Sequence, residues 1–274
     1  MLPHWMEDTV EVPGKHGSFR VHYVRTGSGS GKPPLVLAHG FSDNGLCWKP
    51  IAQALESEWD VILPDARGHG LSQRFVPGVE VHLPDDLADF IRALGIERPV
   101  VGGHSMGGST VGLMDARYPG LARALILEDP GWRDPRPQDA SPSPHPFKDW
   151  IMGLRNQTPE QIIAGGRKND PNWPEEEWSA WAESKLQLDP AIFEPEVAIT
   201  WEPWREVVRR ISAPALLITA DVEKGAIVSP EMAREIQQIN PRVRVAHITG
   251  SGHSIRRDDP TAFLNAVREF LKEV

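Results

Sequence analysis

Only one cysteine, Cys47, stands among the 274 residues. No internal disulfide is available, and nothing points to an oxidising compartment. No apolar run is long enough to cross a bilayer. The opening stretch MLPHWMEDTVEV lacks the basic residues and apolar core of a secretion signal. A cytoplasmic protein is therefore expected. Positive charge is in the minority: 29 Lys and Arg against 38 Asp and Glu give a formal net charge of -9, with no basic stripe. That excludes nucleic acid and anionic membrane surfaces as partner classes. No His, Cys or Glu cluster has metal-ligand spacing. Neither a G-x-G-x-x-G fingerprint nor a P-loop occurs. No metal and no nucleotide cofactor is expected.

What the chain does have is 40% hydrophobic residues, 26 prolines and ten tryptophans. Its length suits one large α/β domain carrying an insertion. Thr9 to Val12 and Ser18 to Arg25 alternate apolar and polar residues around a glycine turn, the pattern of an antiparallel hairpin. Leu35 to Ala38, Asp60 to Pro64, Val100-Val101 and Ala122 to Glu128 are short apolar runs, as strands covered on both faces require. Helical patterns from about Leu46 to Glu56, Pro84 to Leu94 and Met106 to Tyr118 separate them. This β–α alternation predicts a mostly parallel sheet with right-handed crossovers. Ala215 to Thr219, Pro230 to Ile239, Val243 to Ile248 and Pro260 to Lys272 resume the rhythm. Between the two halves the composition changes. Pro130 to Pro146 contains six prolines, and seven of the ten tryptophans lie between residues 130 and 210. The expected organisation is a core of residues 1–130 and 211–274, with residues 131–210 as a helical cap.

One stretch carries the chemistry. In Pro99 to Thr110, a strand breaks into Gly103-His104-Ser105-Met106-Gly107 and a helix follows. This is the G-x-S-x-G pattern of a nucleophile elbow, with glycines where larger residues would collide. A serine hydroxyl needs a base, and the base an orienting acid. Of the ten histidines, His253 is the expected base, because it follows the last strand in the flexible loop Gly250-Ser251-Gly252-His253-Ser254. His39, His69 and His104 sit in glycine turns, where packing roles are expected. Pattern alone leaves the acid open between Glu128-Asp129, after the strand that follows the elbow, and Asp221 or Glu223, one strand later. The N–H groups of Met106 and Phe41 are the expected oxyanion donors, from the turn after the nucleophile and the loop His39-Gly40-Phe41.

These residues resemble the α/β-hydrolase superfamily, in its cap-bearing branch of serine esterases and lactonases. The matching segments are HGFSDN at 39–44, DARGHGLS at 65–72, GHSMGG at 103–108 and GSGH at 250–253. The resemblance implies an eight-stranded, mostly parallel sheet flanked by helices, with the inserted cap. It disfavours dehalogenase and epoxide-hydrolase chemistry, whose members carry aspartate where Ser105 stands. It also bears on the acid: the position of Asp129 relative to Ser105 matches members with the acid on the earlier strand, so Asp129 is preferred and Asp221 is the alternative. The implied activity is hydrolysis of a carboxylic ester through an acyl-enzyme. The tryptophans between residues 130 and 210 further suggest an apolar or aromatic pocket, so the expected partner is a small to medium apolar or aromatic ester, and Trp132, which follows Asp129 directly into the cap, is the expected lining residue. Lactone opening, or a non-catalytic ligand receptor on the same fold, are the competing readings.

Overall fold

The computed structural model describes residues 4–14, 17–76, 78–133, 145–194, 197, 199 and 201–274. The proline-rich stretch that the sequence marks out at 130–146 lies mostly outside them. Eight strands form one sheet: β1 (Met6–Val12), β2 (Phe19–Arg25), β3 (Pro34–Ala38), β4 (Asp60–Pro64), β5 (Val100–His104), β6 (Ala124–Glu128), β7 (Ala215–Ala220) and β8 (Val243–Ile248). Their order is β1-β2-β4-β3-β5-β6-β7-β8. The first two pairings, β1 with β2 and β2 with β4, are antiparallel, and all the others are parallel. The expected fold class therefore holds.

Every residue of β4, β5, β6 and β7 is buried, which is why these strands read as unbroken apolar runs. Alternate residues enter two separate cores. Val36, Ile62, Val101, Leu125 and Leu217 face one, and Leu35, Leu63, Val100, Ile126 and Ile218 face the other. The helices that cover these faces are α1 (Lys49–Leu55), α2 (Leu83–Ala93), α3 (Met106–Arg117), α7 (Trp204–Arg210), α8 (Pro230–Ile239) and α10 (Pro260–Leu271). Proline stands in the first turn of α1, α2, α8 and α10, where its missing N–H costs no hydrogen bond and its fixed φ suits the helix. Part of the unusual proline content is thus spent on helix starts. Asp259 and Ser229 cap α10 and α8 through the N–H groups of Ala262 and Met232.

Between β6 and β7 lie α4 (Lys148–Leu154), α5 (Pro159–Asn169) and α6 (Trp178–Gln187), followed by α7. A short helix, α9 (Ile255–Asp258), precedes α10. The tryptophans of α6 and its approach form their own cluster: the Trp173 and Trp178 rings stack at 5.2 Å, and Trp178 meets Trp181 edge-on at 5.6 Å. Trp204, Val207 and Val208 of α7 instead join the core beneath β5 to β7. No helix among the described residues is long and apolar enough to cross a membrane.

The strand order positions the site. The chain leaves β3 for β4 on one side and later returns for β5 on the other, so β3 and β5 are neighbours at the switch point, where crevices open at the carboxyl ends of strands. Ala38 pairs with Gly103, and His104 with Glu128. The loops after β3, β5 and β6 are therefore side by side.

Candidate active site

Ser105 sits between β5 and α3 with φ 52° and ψ -113°. Such a backbone costs about 1–3 kcal/mol and persists only where its surroundings over-determine it. Here the Ser105 N–H donates to the Glu128 carbonyl at 2.9 Å, and the Ser105 carbonyl accepts from Ser109 N and Gly131 N, both at 3.0 Å. The flanking glycines are sterically required. A Cβ on Gly107 would lie 2.3 Å from the Ala38 carbonyl oxygen, and one on Gly103 would lie 2.4 Å from the Gly107 carbonyl carbon. The elbow can press against β3 only without those side chains.

The loop after β3 is held rigid by neutral imidazoles. His39 Nδ1–H donates to the Gly40 carbonyl at 2.8 Å, and its Nε2 accepts from Ala66 N–H at 2.9 Å. Burial lowers its pKa. His69 is held by the Arg67 carbonyl at 3.0 Å, and burial pushes its pKa down to about 3. No acceptor among the described residues takes the N–H of Phe41 or that of Met106. Both residues border the cavity that opens at Ser105, so both N–H groups remain free to serve a ligand there.

His253 Nδ1 lies 2.6 Å from Asp129 Oδ2, and the Asp129 side chain is fully buried. Asp129 follows β6 with φ 36°. Its carboxylate also accepts from Ile227 N at 2.8 Å and Val228 N at 2.9 Å. With Asp129 in that position, Nδ1 carries the proton and Nε2 is left as an acceptor. His104 supports the same loop: its Nε2–H donates to the His253 carbonyl at 2.9 Å, with the rings 4.6 Å apart. Burial, then the nearby Arg256, drive the His104 pKa well below the usual range, so it stays neutral.

The other carboxylates go elsewhere. Asp221 accepts from Gly250 N at 2.7 Å and meets His247 Nε2 at 3.1 Å, tying the ends of β7 and β8 together. Glu128, one residue before Asp129, points away and pairs with Arg256 at 3.0 Å. Glu223 lies in a short turn with no buried residue. Among the described residues no three His, Cys, Asp or Glu side chains are grouped as a metal would need.

A buried ionic cluster lies next to this centre, and nothing in the local sequence announces it. Asp43 accepts from Lys185 at 2.7 Å, Arg257 at 3.0 Å and Arg256 at 3.3 Å. Burial opposes its ionisation, yet Arg257, Lys185 and Arg256 together hold its carboxyl well below the usual carboxylate range. Lys185, on α6, also donates to the Ser42 carbonyl at 3.0 Å. A helix from the 131–210 stretch is thereby fastened to the loop that carries Phe41.

Two cavities open at Ser105. One, of about 320 Å³, is bordered by His253, Trp150, Trp173, Trp181 and Lys185. The other, of about 390 Å³, is bordered by Phe41, Met106, Ile192, Trp201 and Arg133. The structure thus brings Ser105, Phe41, Met106, His253 and Asp129 together, and it leaves Asp221 apart. Trp132 packs into the core, 3.0 Å from where a Gly112 Cβ would stand; it borders neither of these two cavities but lines a smaller one of about 180 Å³ beside Ser109 and Arg133. The chain turns inward straight after Gly131, and the large apolar ring follows the core. Trp150, Trp173, Trp181 and Trp201 border the cavities instead. Their share of the pocket was hidden within the general tryptophan richness of the stretch.

A model of the alpha/beta hydrolase family matches residues 35–267. The chain is 30% identical over 261 residues to N-formylmaleamate deformylase of Pseudomonas putida, covering 92% of each chain. It is 26% identical to 2-(acetamidomethylene)succinate hydrolase of Mesorhizobium japonicum, over 98% of this chain and 96% of that one. Among solved structures, the naproxen esterase of Bacillus subtilis shares the fold with a TM-score of 0.71 at 20% identity, covering 97% of this chain and 92% of that one.

Proposed function

The chain belongs to the α/β-hydrolase family and is a hydrolase, and from that premise we propose that it cleaves a carboxylic ester through an acyl-enzyme on Ser105. The observation that carries the reading is the 2.6 Å contact of His253 Nδ1 with buried Asp129, beside a serine held at φ 52° on the sheet's crevice edge. His253 Nε2 takes the Ser105 Oγ proton as the oxygen attacks the ester carbonyl. The N–H groups of Phe41 and Met106 receive the developing oxyanion, each worth about 3 kcal/mol in the transition state. The tetrahedral intermediate collapses, the C–O bond to the alcohol breaks, and His253 returns the proton to the departing oxygen. Water then repeats the sequence on the acyl-enzyme, releasing the acid and restoring Ser105. Asp129 keeps the proton on Nδ1 and stabilises the imidazolium formed in each half. Helices α4 to α6 act as the cap. The aromatic walls of Trp150, Trp173, Trp181 and Trp201 suit a small to medium apolar or aromatic substrate.

A second reading, cleavage of a small acyl amide, is favoured by the names of the two curated relatives, a deformylase and a hydrolase of an acetamido compound. The same constellation serves both. Amide cleavage additionally requires His253 to protonate a poorer leaving group. Steady turnover of p-nitrophenyl esters from acetate to octanoate, beside N-formyl and N-acetyl amides, decides between them. We expect acyl chains longer than acetate to be preferred and turnover to vanish in Ser105→Ala. Turnover that survives Ser105→Ala refutes the nucleophile assignment. Absence of any preference beyond acetate refutes the apolar acyl pocket.

A further inference from the structure

Ser105 is not the only serine side chain on the cavity floor. Ser109, one helical turn later on α3, is buried, and its Oγ has no hydrogen-bond partner. Residues at i and i+4 on a helix lie on the same face, with Cβ atoms about 6 Å apart. The reason for the missing partner is local. Thr110, the next residue, satisfies its hydroxyl by donating to the Met106 carbonyl at 2.8 Å. The equivalent acceptor for Ser109 is the Ser105 carbonyl, and that oxygen already accepts from Ser109 N and Gly131 N. A buried hydroxyl left unpaired is unfavourable unless something else supplies its partner.

The position of Ser109 says what that partner is. Ser109, Gly131, Arg133 and Trp201 all border the 390 Å³ cavity at Ser105, and all four also border a side cavity of about 180 Å³ that opens from it. Arg133 is exposed and forms no ion pair or hydrogen bond among the described residues. Glu202, the carboxylate bordering the side cavity, is already paired with Arg117 and Arg210. His145, the remaining titratable group bordering the larger cavity, has its pKa lowered by partial desolvation, which disfavours its charged form. Beside His145 and the paired Glu202, the junction therefore offers one exposed guanidinium and one buried hydroxyl, neither with a partner among the described residues, against largely apolar and aromatic walls. That donor set matches a carboxylate.

The side of the substrate follows from His253. The leaving group must reach His253 Nε2 to collect its proton, and His253 borders the 320 Å³ cavity and not the 390 Å³ one. The leaving group accordingly occupies the former and the acyl part the latter. We propose that Arg133 and Ser109 form a carboxylate subsite for the acyl part, so that the preferred substrates are hemiesters or monoamides of dicarboxylic acids. The acyl chain runs past Met106 and Ile192 and ends in an anion about one helical turn from the scissile carbonyl. This rests on the acyl-hydrolase reading of Ser105.

Monomethyl glutarate and methyl pentanoate test it, because they differ chiefly in the terminal carboxylate. In a pH-stat assay we expect kcat/KM for the hemiester to exceed that for the neutral ester. Arg133→Gln should cut that ratio about 10- to 100-fold, the worth of a hydrogen bond to a charged group, and Ser109→Ala should cut it by less. A second measurement does not depend on turnover: calorimetric titration of Ser105→Ala with monomethyl glutarate. Binding about tenfold or more weaker in Ser105→Ala/Arg133→Gln is expected. Turnover of both esters with no hemiester preference, or a preference that Arg133→Gln leaves intact, overturns the subsite alone. Arg133-dependent binding without turnover of either ester supports the subsite and overturns the acyl-hydrolase reading. Neither turnover nor Arg133-dependent binding overturns both.

Discussion

Replacing Asp129 by Asn changes one atom and reverses one hydrogen bond. Every contact the carboxylate makes is with a donor: Ile227 N, Val228 N and His253 Nδ1. Asparagine brings one acceptor oxygen and one NH2. The two backbone N–H groups are fixed by the loop, so the amide oxygen turns to them and the NH2 faces His253. Nδ1 must then accept, and the proton moves to Nε2. His253 in that tautomer cannot take a proton from Ser105, which should lower kcat about ten-thousandfold. The fold should survive, because both backbone donors keep an acceptor and the volume is unchanged. Asp221→Asn is the matched control. It loses charge at a contact with Gly250 N and His247, so it should cost about 1 kcal/mol of stability and leave kcat nearly unchanged. Stopped-flow hydrolysis of p-nitrophenyl butyrate, with far-UV circular dichroism to verify folding, measures both. If Asp129→Asn keeps more than about a tenth of wild-type kcat while Asp221→Asn does not, the reasoning is wrong.

Two further predictions concern the buried charges and imidazoles. Lys185→Met removes a donor from Asp43 and from the Ser42 carbonyl and should cost about 3 kcal/mol in urea unfolding, the lower range for breaking a buried ionic contact; a loss under about 1 kcal/mol would show that Arg256 and Arg257 suffice. His69, with its pKa lowered from 6.5 to about 3, stays neutral in the folded chain while the unfolded chain takes up a proton below pH 6.5. Stability should therefore fall as pH drops from 6.5 towards 3, with about 2 kcal/mol lost through His69 between pH 7 and 5. His39 and His104 act in the same direction, and His22, whose pKa is raised, acts against them. His69→Gln should flatten the pH dependence of the unfolding free energy by that amount, and an unchanged slope would rule the effect out.

The sheet was legible in the sequence because its causes are local. Strands buried on both faces are short apolar runs, and helices announce themselves by period, proline starts and capping residues such as Ser229 and Asp259. The Gly103-to-Gly107 turn was legible for the same reason, since its glycines answer to contacts within a strand and helix of each other. The carboxylate that meets His253 was not. Asp129 and Asp221 both end strands at the correct edge, and 124 residues separate Asp129 from the histidine it meets. The choice depends on the left-handed turn at Asp129 and on the Ile227-Val228 loop folding back onto it. The exact place of Trp132 was out of reach in the same way: adjacency to Asp129 in the chain suggested the pocket, but apolar burial against Gly112 sets it on the smaller side cavity and away from the two at Ser105. The Asp43–Lys185–Arg256–Arg257 cluster draws on three distant segments, and no one of them signals the others. Sequence alone determined the elements and their order, because hydrophobic period and turn chemistry act over a few residues. Tertiary structure alone decided which charged and aromatic groups share the crevice, because that depends on where distant loops meet.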